Sequence, residues 1–181
     1  MKKMKVFINP GHSPNGCPDP GSVGNGLREC DIAKTCSDLV EKYLEDASVE
    51  VVGNAQSASL LEIVRVANNI EPDVFLSIHC NAFDGKAHGT EVWFFHTSRK
   101  GKLLAQCIQK QIVDTLHTTD RGIKSAEPGR SGLYVLTNTD AVAVLIELAF
   151  IDHPGDAYLL KNEIDQFARA VARGVTDYEL L

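Results

Sequence analysis

The sequence predicts an α/β protein: a single-domain, three-layer sandwich with a mostly parallel sheet of about six strands and helices on both faces. Three observations predict it. Short apolar runs alternate along the chain with segments of helical periodicity. Two of those runs, Asp73 to His79 and Ala143 to Ile146, are dense enough to be buried on both faces, as parallel strands are. The 181 residues, 44% hydrophobic and 23% charged, suit one globular core. No repeat, low-complexity tract or linker interrupts them, so one domain is expected over residues 1–181, with no second domain.

Lys5 to Asn9 reads as a first strand, ended by Pro10-Gly11. Residues 10–26 are crowded with Gly and Pro, and a long irregular stretch inside a compact domain is usually functional. Ile32, Cys36, Leu39, Val40, Tyr43 and Leu44 recur with a 3.6-residue period and mark the first helix. Val49 to Val52 reads as a strand. Leu60, Ile63, Val64 and Ala67 form the stripe of a second helix, with Ser59 as N-cap and Pro72 beyond its end. The Asp73–His79 strand follows, then a β-branched and aromatic strand over Thr90 to Phe95. Leu104, Cys107, Ile108, Ile112 and Leu116 mark a third helix, and Arg121-Gly122 a bend that ends it. Leu133 to Leu136 reads as a short strand, Ala143 to Ile146 as a buried one. Leu160, Ile164, Phe167, Ala168, Val171 and Val175 predict one long final helix.

Eighteen Lys and Arg against 24 Asp and Glu give a net charge of −6, which argues against non-specific binding to nucleic acid. No apolar run is long enough to span a bilayer. Met1 to Lys5 has the basic character of a leader, but Val6-Phe7-Ile8 is too short for its apolar core. The chain therefore reads as leaderless and made in the cytoplasm. Five cysteines, an odd number with no Cys-x-x-Cys spacing, read as reduced thiols rather than disulfides or a zinc knuckle.

Sites in open α/β sheets gather outside the carboxyl ends of the strands. His12 follows the first strand, His79 closes the third, and Glu147 closes the Ala143–Ile146 run. Glu29 lies at the far end of the glycine-rich stretch. Two imidazoles and a carboxylate with an open fourth position are the donor set of a hydrolytic zinc centre. A second, free carboxylate beside it can move a proton. Spacing alone does not assign the carboxylates. Glu147 sits in a nine-residue, mostly apolar segment, so burial should raise its pKa and suit it to proton transfer. Glu29, placed in a wetter loop, better fits a charged ligand.

Five blocks then carry a resemblance: Asn9-Pro10-Gly11-His12; Gly24-Asn25-Gly26-Leu27-Arg28-Glu29; Arg65-Val66-Ala67-Asn68 leading to Ser77-Ile78-His79-Cys80-Asn81-Ala82; Gly89-Thr90-Glu91-Val92; and Val144 to Asp152 around Glu147. In this order they resemble the zinc-dependent N-acetylmuramoyl-L-alanine amidases, over essentially the whole chain. The resemblance implies zinc held by His12, Glu29 and His79, with Glu147 as general base and acid. It implies peptidoglycan as substrate, cut at the amide between N-acetylmuramic acid and L-alanine, and so action at the cell wall after export or lysis. The family usually has Ala where this chain has Cys80. Some members carry a helical plug over the zinc. Here about twenty residues separate His79 from the third helix, most of them used by a strand, which predicts an open site. The compact layout is similar to leaderless phage or prophage lysins.

Asn81 is a candidate to orient a ligand or touch substrate, and Arg130 and Leu133 are candidates to line the peptide groove. Cys80 cannot pair with His79 as a nucleophile–base couple, because neighbouring strand residues point to opposite faces. His88, His96, His117 and His153 have no convergent partners in the pattern. A monomer is expected. The rival readings are a zinc carboxypeptidase-like peptidase and a non-catalytic peptidoglycan-binding module.

Overall fold

The structure, a computed structural model, describes residues 3–129 and 133–181. In chain order its elements are β1 (Lys5–Pro10), a small hairpin of β2 (Val23–Gly24) and β3 (Leu27–Arg28), α1 (Glu29–Asp46), β4 (Glu50–Asn54), α2 (Leu60–Ile70), β5 (Val74–Asn81), β6 (Thr90–Phe95), α3 (Arg99–Leu116), β7 (Asp120–Ala126), α4 (Tyr134–Asn138), β8 (Val142–Phe150), α5 (Pro154–Asn162) and α6 (Ile164–Glu179). Six strands form one sheet in the order β4-β1-β5-β8-β6-β7. The four strands β4, β1, β5 and β8 are parallel, and β6 and β7 run against them. This is the expected mostly parallel, six-stranded sandwich.

Alternation along the strands sorts the side chains into two cores. Val6, Ile8, Val74, Leu76, Ile78, Val144 and Ile146 pack with α1, α3 and α6 on one face. Phe7, Phe75, Ala143 and Leu145 pack with α2 and α4 on the other. The polar residues Asn9, Ser77, His79 and Glu147 continue this second set, so they share one face at the carboxyl ends of β1, β5 and β8. Register sets them side by side: Asn9 pairs with Ser77, and His79 with Glu147. Cys80 falls in the opposite core, as the alternation requires.

Several local expectations are corrected. Leu133 to Leu136 is not a strand; Tyr134 starts a one-turn helix whose Val135 and Leu136 face the second core. A four-residue apolar run is too short to separate the two states. Arg121-Gly122 is not a bend but part of the edge strand β7, whose polar face concealed it. The final helical stretch breaks at Glu163 into α5 and α6, and Pro154 at N1, behind a His153 cap, starts the first of these. Glu29 is not in a wet loop: it is the first residue of α1 and only 3% exposed. Arg130 lies outside the described residues. Among those described, residues 82–89, between β5 and β6, hold no helix that would plug the strand ends. No described helix is long and apolar enough to cross a membrane.

The contact between α3 and α6 rests on a glycine. A Cβ on Gly174 would lie 2.6 Å from the Ile108 Cα, so the two helices could not keep their spacing. Gly174→Ala should cost about 1–3 kcal/mol, the usual range for overpacking. Urea denaturation should show a lower midpoint at an unchanged slope. An unchanged midpoint would contradict this close packing.

Candidate metal centre

The parallel strands end where the glycine-rich segment crosses them. Gly11 is needed there because a Cβ would lie 2.4 Å from His79 Cε1. Gly21 has a φ of +68°, and its Cβ would meet His12 Cδ2 at 2.5 Å and Glu29 Oε2 at 2.7 Å. His12 itself holds a left-handed φ of 66°, a conformation a non-glycine residue keeps only when its surroundings impose it. Gln56 Nε2 supplies part of that constraint by donating to Gly11 O (2.8 Å) and Cys30 O (3.1 Å), which ties the loop to the start of α1.

Glu29 is the centre of the cluster. Its Oε1 lies 2.9 Å from His12 Nε2 and 2.9 Å from His79 Nδ1, and it accepts from the Cys80 amide at 3.0 Å. Its Oε2 accepts from the Ser22 amide at 2.8 Å. Burial alone would raise its pKa, but the two imidazoles outweigh that and hold it well below the usual carboxylate range. Its place in the first turn of α1 favours the same charge. Burial likewise pulls His12 down, and is overcome by Glu29 and Asp19, which leave its pKa at about 9.

One ligating atom from each of His12, Glu29 and His79 lies within 4.8 Å of the others. Two neutral nitrogens and one carboxylate oxygen fit a borderline divalent ion such as zinc, and three donors leave it a position for substrate or water. Each imidazole also has a partner behind it. His12 Nδ1 is 2.8 Å from Asp19 Oδ2, and His79 Nε2 is 3.1 Å from Ser77 Oγ. Such outer partners orient ligating histidines.

Glu147 stands beside His79 in the sheet register, on the same face, with Glu91 on its other side. Its Oε2 is sealed from solvent with no hydrogen-bond partner among the described residues. Burial is the main force on it and raises its pKa to about 7; the charge of His79 opposes this, and Glu29 and Glu91 add to it. Glu91 is spoken for, accepting from Arg121 Nε at 2.8 Å and Trp93 Nε1 at 3.1 Å.

A cleft of about 280 Å³ opens over the cluster, lined by His12, Asp19, Leu60, His79, Leu133 and Tyr134 among others. Leu133 borders this cleft. Asn81 is turned to Glu91, donating to Oε1 at 3.2 Å, and accepts from its neighbour's amide. Asp19, Ser77 and Asn9 were not among the sequence candidates. Ser77 could have been found, since it lies two residues before His79 and therefore on the same face. Among the thiols, Cys30, Cys36 and Cys80 are buried, and burial raises all three pKa values.

The charge pairing sets a pH dependence for protein stripped of metal. His12, with a raised pKa, adds stability that is complete below 6.5 and lost as pH climbs through about 9. Glu29, with a lowered pKa, adds stability present above 4.5 and lost as pH falls towards its depressed value. Urea midpoints of chelator-treated protein should therefore be highest between these limits and decline on both sides. His12→Ala should flatten the alkaline decline. An alkaline decline of the same size in that variant would contradict the pairing.

Comparison with known proteins gives the family. The sequence profile of the family described as N-acetylmuramoyl-L-alanine amidase matches residues 6–177. The chain is similar to the uncharacterised Bacillus subtilis protein YqiI, with 36% identity covering 96% of this chain and 84% of that one. It is 35% identical to the Bacillus subtilis N-acetylmuramoyl-L-alanine amidase LytC over 96% of its own length, but spans only 35% of LytC. Its fold matches the crystal structure of an N-acetylmuramoyl-L-alanine amidase from Clostridium difficile 630 with a TM-score of 0.87 and 30% identity, covering 98% of this chain and 97% of the other. The chain belongs to the N-acetylmuramoyl-L-alanine amidase family.

Proposed function

We propose that the chain hydrolyses the amide joining N-acetylmuramic acid to L-alanine in peptidoglycan, with zinc held by His12 Nε2, Glu29 Oε1 and His79 Nδ1. The convergence of these three atoms beside the unpaired Glu147 oxygen carries the reading. A divalent ion held there supplies Lewis acidity toward a carbonyl oxygen and acidifies water. The chain's own groups do the rest. Leu60, Leu133 and Tyr134 border the cleft with apolar surface suited to the start of a stem peptide. Glu147, as carboxylate, accepts the proton of the attacking water. It then delivers that proton to the alanine nitrogen as the carbon–nitrogen bond breaks, so the peptide leaves as a free amine. The sheltered environment that raises the Glu147 pKa makes it a stronger base than an exposed carboxylate. The site of action is the cell wall.

Chelation should abolish release of stem peptides from sacculi, and added zinc should restore it. Glu147→Gln should keep one zinc per chain by elemental analysis yet lower kcat by ~10²–10⁴-fold. Near-normal turnover in that variant would refute the assignment of the base. Because Glu147 works ionised, kcat/KM should fall below an acid limb at or under pH 7, since a bound cation draws its pKa down from about 7. Activity that held level from pH 7 to pH 4 would contradict it. A peptidase acting on ordinary peptides would have a similar ligand set. Mass spectrometry of digested muropeptides separates the two, because only the amidase frees the intact stem peptide from muramic acid.

A further inference from the structure

Behind His79 lies a buried hydrogen-bond chain whose direction is fixed by its far end. Asn9 is 3% exposed and Ser77 fully buried. Asn9 Nδ2 donates to two backbone carbonyls, Pro10 O and Ala55 O, each at 3.0 Å. Carbonyls only accept, so the amide nitrogen must face them and Oδ1 must face Ser77. The Ser77 hydroxyl donates to that Oδ1 at 3.0 Å. A hydroxyl has one proton. With it committed to Asn9, Ser77 Oγ can only accept from His79 Nε2, 3.1 Å away.

We infer that Asn9 and Ser77 form a one-way relay that holds a hydrogen on His79 Nε2, so that Nδ1, whose own hydrogen faces Glu29 in the metal-free protein, is the nitrogen that exchanges its hydrogen for the metal. They are positioning residues, acting through His79. The inference rests on the proposed ligand set. Asn9 and Ser77 face each other across β1 and β5, and His79 is two residues along the same face of β5. The sheet register therefore builds the relay. The two histidines are thus held by different means: His12 by the exposed carboxylate of Asp19, His79 by a buried neutral chain.

The test measures zinc affinity by chelator competition and follows the His79 imidazole by ¹⁵N-resolved NMR, with and without zinc, in the full chain. In the unaltered protein a slowly exchanging His79 Nε2–H is expected. Ser77→Ala should speed its exchange with water and weaken zinc binding by ~10–100-fold, the usual cost of losing an outer partner. Asn9→Ala frees the serine proton to turn onto Nε2, so it should weaken zinc binding similarly and shift His79 towards the Nδ1–H form. In the Ser77→Ala background, Asn9→Ala should add less than about threefold, because its effect passes through the missing hydroxyl. Fully additive losses would mean that Asn9 acts only on the β1 backbone, and would overturn the relay. So would a Ser77→Ala protein with unchanged zinc affinity and unchanged His79 resonances. Failure of the unaltered chain to bind zinc at all would instead overturn the ligand set, and the relay's role with it.

Discussion

A buried carboxylate is costly unless something answers its charge, and at Glu29 five groups do: two imidazoles, the amides of Ser22 and Cys80, and the start of α1. These groups come from separate parts of the chain. His12 and Ser22 lie on the glycine-rich segment, Cys80 and His79 at the end of β5. The charge of Glu29 therefore pins an irregular loop and a helix end to the edge where the strands stop. The same demand explains the glycines, since Gly11 and Gly21 are the points where backbone must pass within side-chain distance of His79, His12 and Glu29.

The sheet supplies the second constraint. Alternation gives β1, β5 and β8 one face directed at α2 and α4, and at the strand ends that face changes from apolar to polar. Ser77, His79 and Glu147 are the continuation of Phe75 and Leu145 beyond the reach of the core. The proposed ligand His79, the Ser77 hydroxyl behind it and the Glu147 carboxylate are thereby placed by register alone. The two glutamates end up opposite in character. Glu29 is surrounded by donors and stays charged, whereas Glu147 has its Oε2 unpaired and is raised by burial. A pair of carboxylates pushed apart in this way suits division into one that binds and one that transfers protons.

Much of this was readable from the residues, and the rest was hidden for identifiable reasons. Dense runs such as Val74 to Ile78 declare themselves as buried strands, and the polar residues ending them stand out by contrast. His12, Glu29, His79 and Glu147 were therefore findable, and the structure gathers the first three within reach of one ion. The burial of Glu29 was not readable, because it depends on a helix beginning at that residue and on amides remote in sequence. The edge strand β7 was hidden by its polar sequence, and the turn of helix at Tyr134 by its brevity. Asn9 and Ser77 look unremarkable along the chain. Only the pairing of β1 with β5 reveals that they meet.

The proposed mechanism stands on His12, Glu29 and His79 holding one divalent ion together. X-ray diffraction of zinc-soaked crystals, recorded on both sides of the zinc absorption edge, tests it most directly. A single strong anomalous peak is expected within bonding distance of His12 Nε2, Glu29 Oε1 and His79 Nδ1. A peak elsewhere, or none at these atoms in fully active protein, would contradict it.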